Sequence, residues 1–477
     1  MSKDLIRKKI EELKKESELI LKSKKLSKET RVFISSMMIM IDVIVAVLLT
    51  KKIRKTSSNS GTPPSQNFGS NGNRNKPGNS ETDKKGSQLP NTRNVTEEIN
   101  IPVNECNSCG ADLSSKDASD TESREEIDII YEIIRKIVTV EIKDCCNCGE
   151  TTKGDFPQGM DGELQYGIGI KAAIINYLMV QMFSYERCSE HFKGLIGRFI
   201  SQATMLKYIM SFYLSLAKWE AKKIKELLKM PVIHVDETSI RINKVNYWIH
   251  VYTYGNISLQ FVHRQRGIDA VDDIGIIPKY GGIIIHDCWA TYFSYKNVGH
   301  ALCGSHILRE LRYIMECEAK GASWAMMMKD LLKEAGEVVG GRAGIQVLYA
   351  KEYEMLQSRY REILNYALSE LPLFPTTGEN GKGKPKHTDA QNLYLRLKKH
   401  EGSILMFARV KEVNFTNNRA ERDIRSSKTK QKVSGGFRTL KFAKAYVRIT
   451  SFIKTMRYQG YSSFEAINLK MAGKKLP

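Results

Sequence analysis

Two strand-like stretches run straight into an aspartate. Val232–Ser239 reads "VIHVDETS" and Gly282–Trp289 reads "GIIIHDCW", so Asp236 and Asp287 each end a β-branched run. If the two strands are neighbours in one sheet, both carboxylates emerge at the same edge. Hard oxygen ligands at such an edge suit Mg²⁺ or Mn²⁺, and two ions roughly 3.5–4 Å apart can activate an attacking oxygen and stabilise a leaving one at a phosphodiester. Two carboxylates are too few for that, and the third candidate is Glu421 in "FTNNRAERDIRSSKTKQ", near the start of a basic helix. Arg419, Arg422, Arg425, Lys428 and Lys430 on that helix would meet a DNA backbone. Plainer roles exist for each acid. Asp236 and Asp287 could form turns at strand ends, and Glu421, three after Asn418, could complete a helix capping box. His234 and His286 precede the aspartates, but a His-Asp phosphohydrolase carries that pair on helices, not on glycine-led β-branched runs. Glu237 should face away from Asp236 by strand alternation.

A second ligand set lies upstream. Cys106-Asn-Ser-Cys109-Gly110 and Cys145-Cys-Asn-Cys148-Gly149 are two C-x-x-C-G knuckles. The two-residue gap lets both thiolates of a knuckle reach one ion and the glycine permits the tight turn, so Cys106, Cys109, Cys145 and Cys148 are expected to hold one structural Zn²⁺. Cys146 is the spare thiol. The intervening "IDIIYEIIRKIVTVEIK" should supply strands that join the knuckles as a zinc ribbon. Cys303 and His306 form a further C-x-x-H pair with no obvious partner pair beside it, and a buried structural role is expected for them.

These residues need a large scaffold. At 477 residues the chain exceeds one hydrophobic core. A net charge of +21, with 16 Lys/Arg against 4 Asp/Glu in residues 411–477, favours a polyanionic partner. No signal-peptide pattern opens the sequence, so the nine cysteines read as reduced cytoplasmic thiols. Residues 1–54 read as a helical oligomerisation segment, with Ile6, Ile10, Leu13, Ser17 and Ile20 on a coiled-coil seam and an apolar run over 32–49. That run contains Asp42, so an oligomerisation helix of a homo-oligomer is expected there in preference to a membrane span. Residues 55–99 are a Ser/Asn/Gly/Pro-rich linker, and 100–150 form the zinc-binding domain. Residues 151–230 form a helical DNA-binding region, with a helix-turn-helix near Gly197 and Ser201 as second cap.

Over 231–435, five strand-like runs and a short helix predict an α/β domain with a central mixed sheet, carrying a helical insertion at about 305–410. The loop "GENGKGKPKHTDAQN" at 378–392 lacks the spacing of a phosphate-binding loop. Residues 436–477 form a basic helical tail. The fold class is thus multidomain α/β.

"HVDETS" followed by Trp248, "HDCWATY", "HALCGSHILREL" and "NNRAERDIRSSKTK…GGF" together resemble the insertion sequence 66 family of bacterial DDE transposases. The resemblance extends upstream through "SSNSGTPPSQ" and the two-knuckle unit. It implies a ribonuclease-H-like core interrupted by a helical insertion between the second and third acids. It further implies a catalytic triad of Asp236, Asp287 and Glu421 binding two Mg²⁺ or Mn²⁺. Water would cut the element's ends, and the freed 3′-hydroxyl would attack target DNA. Terminal inverted repeats, target DNA and accessory transposition proteins are the implied partners. A non-catalytic DNA-binding protein derived from such an enzyme is the alternative.

Overall fold

The computed structural model describes residues 97–475, apart from 130, 158–159, 161, 318–321, 343, 345 and 376–385, together with 30, 37 and 95. The expected coiled-coil seam, nearly all of the linker and much of the 378–392 loop lie outside the described residues. The rest divides into two units. Gly167–Phe192 with Phe199 onward forms one, and the described part of Gly69–Tyr166 with Lys193–Arg198 forms the other.

In the cysteine-bearing unit, β1 (Ile142–Asp144) and β2 (Thr151–Lys153) pair antiparallel around Cys145–Cys148. The first knuckle is closed by a bridge between Glu105 and Asp112. Both turns are built alike. Gly110 and Gly149 take left-handed φ of 70° and 71°, and each donates its N–H to the carbonyl of the first cysteine, at 2.9 and 2.8 Å. Of the β-branched run expected to supply strands, only its end at β1 does so. Ile134 is 84% and Ile137 91% exposed, because the described residues of this unit offer no apolar face for a strand to bury against.

The larger unit opens with α1 (Ile168–Met179), α2 (Tyr185–Ile196), α3 (Gln202–Ser215) and α4 (Ala217–Leu227). Ser201 caps α3 by accepting the Thr204 N–H at 3.1 Å, as its position in the sequence predicts.

The five strand-like runs become β3 (Val232–Ile242), β4 (Val245–Tyr254), β5 (Ile257–His263), β6 (Ile283–His286) and β7 (Gly299–Leu302), with α5 (Ile268–Ile274) before β6. They form one sheet in the order β5-β4-β3-β6-β7. β3, β4 and β5 are an antiparallel meander, and β6 and β7 run parallel to β3. The β3–β4 turn places Asn243 and Lys244 at positive φ, the two-residue geometry that matches strand twist.

An all-helical insertion follows: α6 (Gly304–Cys317), α7 (Ser323–Gly341), α8 (Ala350–Glu370), α9 (Asp389–Lys399) and α10 (Glu401–Ile404). Trp324, Leu332, Tyr360 and Leu397 build its core, which is continuous with Ile285 and Leu302 of the strands. The chain then returns to the sheet as α11 (Asn418–Ser434), α12 (Leu440–Tyr458) and α13 (Ser463–Met471).

The segment after residue 436 is helical, as α12 and α13, and it packs on the sheet. α12 covers the exposed edge of the sheet, where Ser451 Oγ accepts the Gln260 N–H at 2.8 Å and Thr455 Oγ1 accepts the Ser258 N–H at 3.1 Å. Those hydroxyls satisfy the donors that an edge strand otherwise offers to another chain.

Candidate active site

The strand register decides where the two aspartates sit. β3 and β6 pair Val232 with Ile283, Ile233 with Ile284 and His234 with Ile285, the same offset that separates Asp236 from Asp287. Continued two residues beyond the ladder, it sets Asp287, just past the end of β6, level with Asp236. Asp236 lies inside β3 and does not end it as the sequence suggested, because β3 runs on to Ile242 in its pairing with β4. Asp287 leaves β6 in a tight turn, its Oδ1 accepting the Trp289 N–H at 3.1 Å while Cys288 takes a φ of 71°. The turn-forming role is thus real for Asp287, and it coexists with the alignment. Burial, then the neighbouring Glu237 and Asp287 charges, push the Asp236 carboxyl well above the usual range, with His306 partly offsetting them.

Glu421 lies one helical turn after Asn417, which ties the start of α11 to the sheet. Asn417 Nδ2 donates to the Val235 carbonyl at 2.7 Å, so its Oδ1 accepts from His234 Nδ1 at 2.9 Å. Its backbone N–H lies 3.1 Å from Cys303 Sγ at the end of β7. No capping box forms at Asn418, since the residue before α11 is Asn417 and its side chain is spent on β3. The Glu421 carboxylate instead turns to α6, with Oε1 at 3.4 Å from Arg309 Nη2 and 3.7 Å from His306 Nδ1. His306 lies close enough to Asp287 to feel its charge. Residues from β3, β6, α6 and α11 therefore share one neighbourhood.

That neighbourhood holds an unexpected pair. Cys303, His306 and Glu421 place a sulfur, a nitrogen and an oxygen all within 4.8 Å of one another. Burial opposes ionisation of the Cys303 thiol, but the hydrogen bond and charge of His306 and the Asn417 N–H outweigh it and lower its pKa. Burial likewise opposes protonation of His306, and Cys303 and Asp287 raise its pKa to about 9. A small cleft beside them is lined by Asp287, Cys288, Glu310 and Arg396.

Behind the sheet, Glu237 faces away from Asp236, as strand alternation predicts. It accepts from Arg266 Nε at 2.8 Å and from Tyr292 OH at 2.8 Å. The Arg266 guanidinium lies 5.0 Å from the Trp248 ring and 4.4 Å from the Trp289 ring. Burial, then Asp287, raise the Glu237 pKa to about 7 against the pull of Arg266. His234 and His286 are buried with lowered pKa, His234 as the partner of Asn417 and His286 against His300, at 3.3 Å. They are neutral struts, which removes the His-Asp reading.

The basic residues of α11 divide in two. Arg419 donates to Thr253 Oγ1 at 2.9 Å and to the Gly255 carbonyl and stacks 4.2 Å from the Tyr458 ring, so it is committed within the fold. Lys428 Nζ donates to the Ser239 carbonyl at 3.1 Å, and burial lowers its pKa against the nearby Asp236 charge. Lys430 is half-buried, whereas Arg422 and Arg425 are exposed.

In the other unit, backbone N–H groups of Ser108 and Cys109 lower the Cys106 pKa, and those of Asn147 and Cys148 lower that of Cys145. Each knuckle thus favours a thiolate, the form that ligates metal. Among the described residues, no three of the four knuckle sulfurs come within 4.8 Å of one another; the group that does so is Cys303, His306 and Glu421.

A family model described as Transposase IS66 family matches residues 163–445. The chain belongs to this family. The match takes in α1–α4, the whole sheet, the helical insertion and α11, so every element that positions the three acids lies within the IS66 region. It leaves both cysteine knuckles outside. Comparison with curated proteins returns no match. Sequence reasoning missed Asn417, His306, Arg309 and Arg266 as partners of the acids. The first lies in the quoted "FTNN" and the second in the C-x-x-H pair, but neither spacing says which strand or helix it will meet.

Proposed function

We propose that this IS66 family transposase is a DDE enzyme that cleaves the ends of its element and joins them to target DNA. Its catalytic core is of the ribonuclease-H-like kind, and Asp236, Asp287 and Glu421 hold two Mg²⁺ or Mn²⁺. Two features support this reading: the shared β3–β6 register, which aligns the two aspartates, and the Asn417 tether, which holds the start of α11, and Glu421 with it, on the sheet. The donors fit the ions, since Asp236 is held with its charge disfavoured beside Asp287, and a divalent cation between them would relieve that repulsion. When bound, such ions lower the pKa of an attacking water or 3′-hydroxyl and stabilise the leaving oxygen.

The chain's own residues supply the rest. Trp289 N–H fixes the Asp287 carboxylate, and Arg309 fixes that of Glu421. Exposed Arg422 and Arg425 take phosphates of the element end, while Arg419 and Lys428 hold α11 on the sheet. The two knuckles together take one structural Zn²⁺ through Cys106, Cys109, Cys145 and Cys148, and the unit they close, with α2 and α3, grips the terminal repeats.

The test is incubation of the protein with labelled element ends and Mg²⁺, beside the Asp236→Asn and Asp287→Asn variants. Loss of roughly a thousandfold in nicking and joining is expected from each variant, as several kcal/mol of metal-borne stabilisation disappear. DNA binding should persist. Equal nicking by variant and parent would refute the triad. Binding by the parent with no metal-dependent nicking would point to a non-catalytic DNA-binding protein.

A further inference from the structure

We infer that Cys303, His306 and Glu421 form a binding site for one soft divalent cation of the Zn²⁺ class, separate from any hard ion held between Asp236 and Asp287. The donor atoms carry the argument. A thiol sulfur, an imidazole nitrogen and a carboxylate oxygen converge within 4.8 Å, with His306 Nδ1 and Glu421 Oε1 3.7 Å apart. A tetrahedral Zn²⁺, with bonds of about 2.0 Å to nitrogen or oxygen and about 2.3 Å to sulfur, needs its ligand atoms roughly 3.3–3.8 Å from one another. Only small side-chain adjustments separate the present arrangement from that geometry.

The surroundings are those of a ligand set. Cys303 is 1% exposed and receives the Asn417 N–H at its sulfur. His306 Nδ1 is buried and faces Glu421 Oε1 at 3.7 Å, too far for a hydrogen bond and close to the spacing of two ligands on one ion. Three protein ligands leave a fourth position open. Mg²⁺ is a poor occupant, because it prefers oxygen to thiolate and imidazole. The carboxylate has two oxygens, so an ion and Arg309 can share it.

Glu421 is also the third acid of the proposed triad, so, on that reading, a soft ion seated here draws Glu421 away from Mg²⁺. Zinc then acts as an inhibitor of cleavage, and Cys303 as the residue that confers the sensitivity.

The experiment uses Co²⁺ as a spectroscopic stand-in on the full chain, freed of metal with a chelator and back-titrated. A version with all four knuckle cysteines replaced by serine removes the other thiolate site. The parent should bind a further equivalent at its knuckles, whereas in the four-serine protein, the background for each variant below, one equivalent should bind with a thiolate-to-cobalt charge-transfer band and a tetrahedral visible spectrum. Cys303→Ser should abolish that band, and His306→Gln and Glu421→Ala should each weaken binding at least about 10-fold, the lower end of what losing even an outer-shell partner costs. Circular dichroism checks that each variant folds, and three independent variants keep the outcome readable if one does not. An unchanged band in Cys303→Ser, or unchanged affinity in both other variants, overturns the site. Metal binding is read without DNA, so the site stands or falls whether or not the chain cuts DNA. Where cleavage occurs, added Zn²⁺ should inhibit the parent more strongly than Cys303→Ser.

Discussion

Asp236 lies within β3 and Asp287 follows β6, strands whose inward residues, such as Ile233 and Ile284, are fully buried, whereas the knuckle cysteines ride on a segment where Ile137 is 91% exposed. Both regions present metal-ligating side chains on opposite terms. The sheet positions its acids before any ligand arrives, through strand register, the Asn417 tether and a core shared with the helical insertion. The cysteine unit has two matching turns, one three-residue hairpin and little else to bury. A segment of that kind recovers little conformational entropy from apolar burial, so, on the zinc reading proposed above, its fold depends on the ion.

Removal of metal is the strongest way to break this contrast. A zinc chelator, or Cys106→Ser, should make residues 100–153 wholly sensitive to protease while the fragment from about 167 onward resists. Mass spectrometry of a limited digest reads both at once. Protection of 100–153 that survives chelation would mean that the unit holds itself together and that the contrast is false.

The same contrast explains what the sequence disclosed. The strands were legible because β-branched runs bounded by glycine or turn residues have few other fates; Asp287 was legible as the end of one, whereas Asp236 was not, since β3 runs on to Ile242. The cysteine knuckles were legible as local spacing. Partners brought by tertiary folding were not: Asn417 meets His234 from 183 residues away, and the third partner of Cys303 and His306 is a single carboxylate on α11, not a second local pair. The proposed capping role for Glu421 failed because Asn417, one residue earlier than expected, ends the loop and spends its amide on β3. The apolar run after Ile127 misled in the other direction, since β propensity makes a strand only where a second face covers it.

Acid should sharpen the contrast next, acting on the sheet through buried imidazoles. His250, on β4, has its pKa lowered by burial from 6.5 to about 4. Its folded value lies below its unfolded one, so the unfolded chain takes up the proton first as pH falls. Stability is whole above pH 6.5 and declines as pH drops through that window toward 4. The loss is about 3 kcal/mol at most for this one group, at roughly 1.4 kcal/mol per pH unit. Denaturant melts of the metal-saturated protein across that range should fall, and His250→Gln should flatten the fall. Equal slopes would place the acid sensitivity elsewhere.

Asn417→Ala tests the tether. It strips a partner from His234 and from the Val235 carbonyl, so a cost of about 1–3 kcal/mol is expected for the buried groups left unpaired. Glu421 should lose its position with it. Cleavage should therefore drop by tens-fold even at temperatures where the variant is fully folded, since misplacement of a catalytic group by about 1 Å can cost 100-fold. Asn417→Asp, which keeps one acceptor but no donor for Val235, should fall between. Full activity in Asn417→Ala would show that α11 holds Glu421 without the sheet.

The smallest effects separate Arg419 from Arg422 and Arg425, three arginines that the sequence alone makes equivalent. Arg419 is bound up with Thr253, Gly255 and Tyr458, so Arg419→Ala should lower the melting temperature and leave the salt dependence of DNA binding almost untouched. Arg422 and Arg425 are exposed one turn further along the same helix. Replacing either by alanine should leave melting unchanged and reduce the slope of log affinity against log salt by about one, the signature of one lost phosphate contact. Each weakens binding to element ends and to unrelated DNA alike, because phosphates carry no sequence. A salt slope that moves with Arg419 and not with Arg422 or Arg425 would reverse the assignment, and the surface that meets DNA would then have to be sought away from α11.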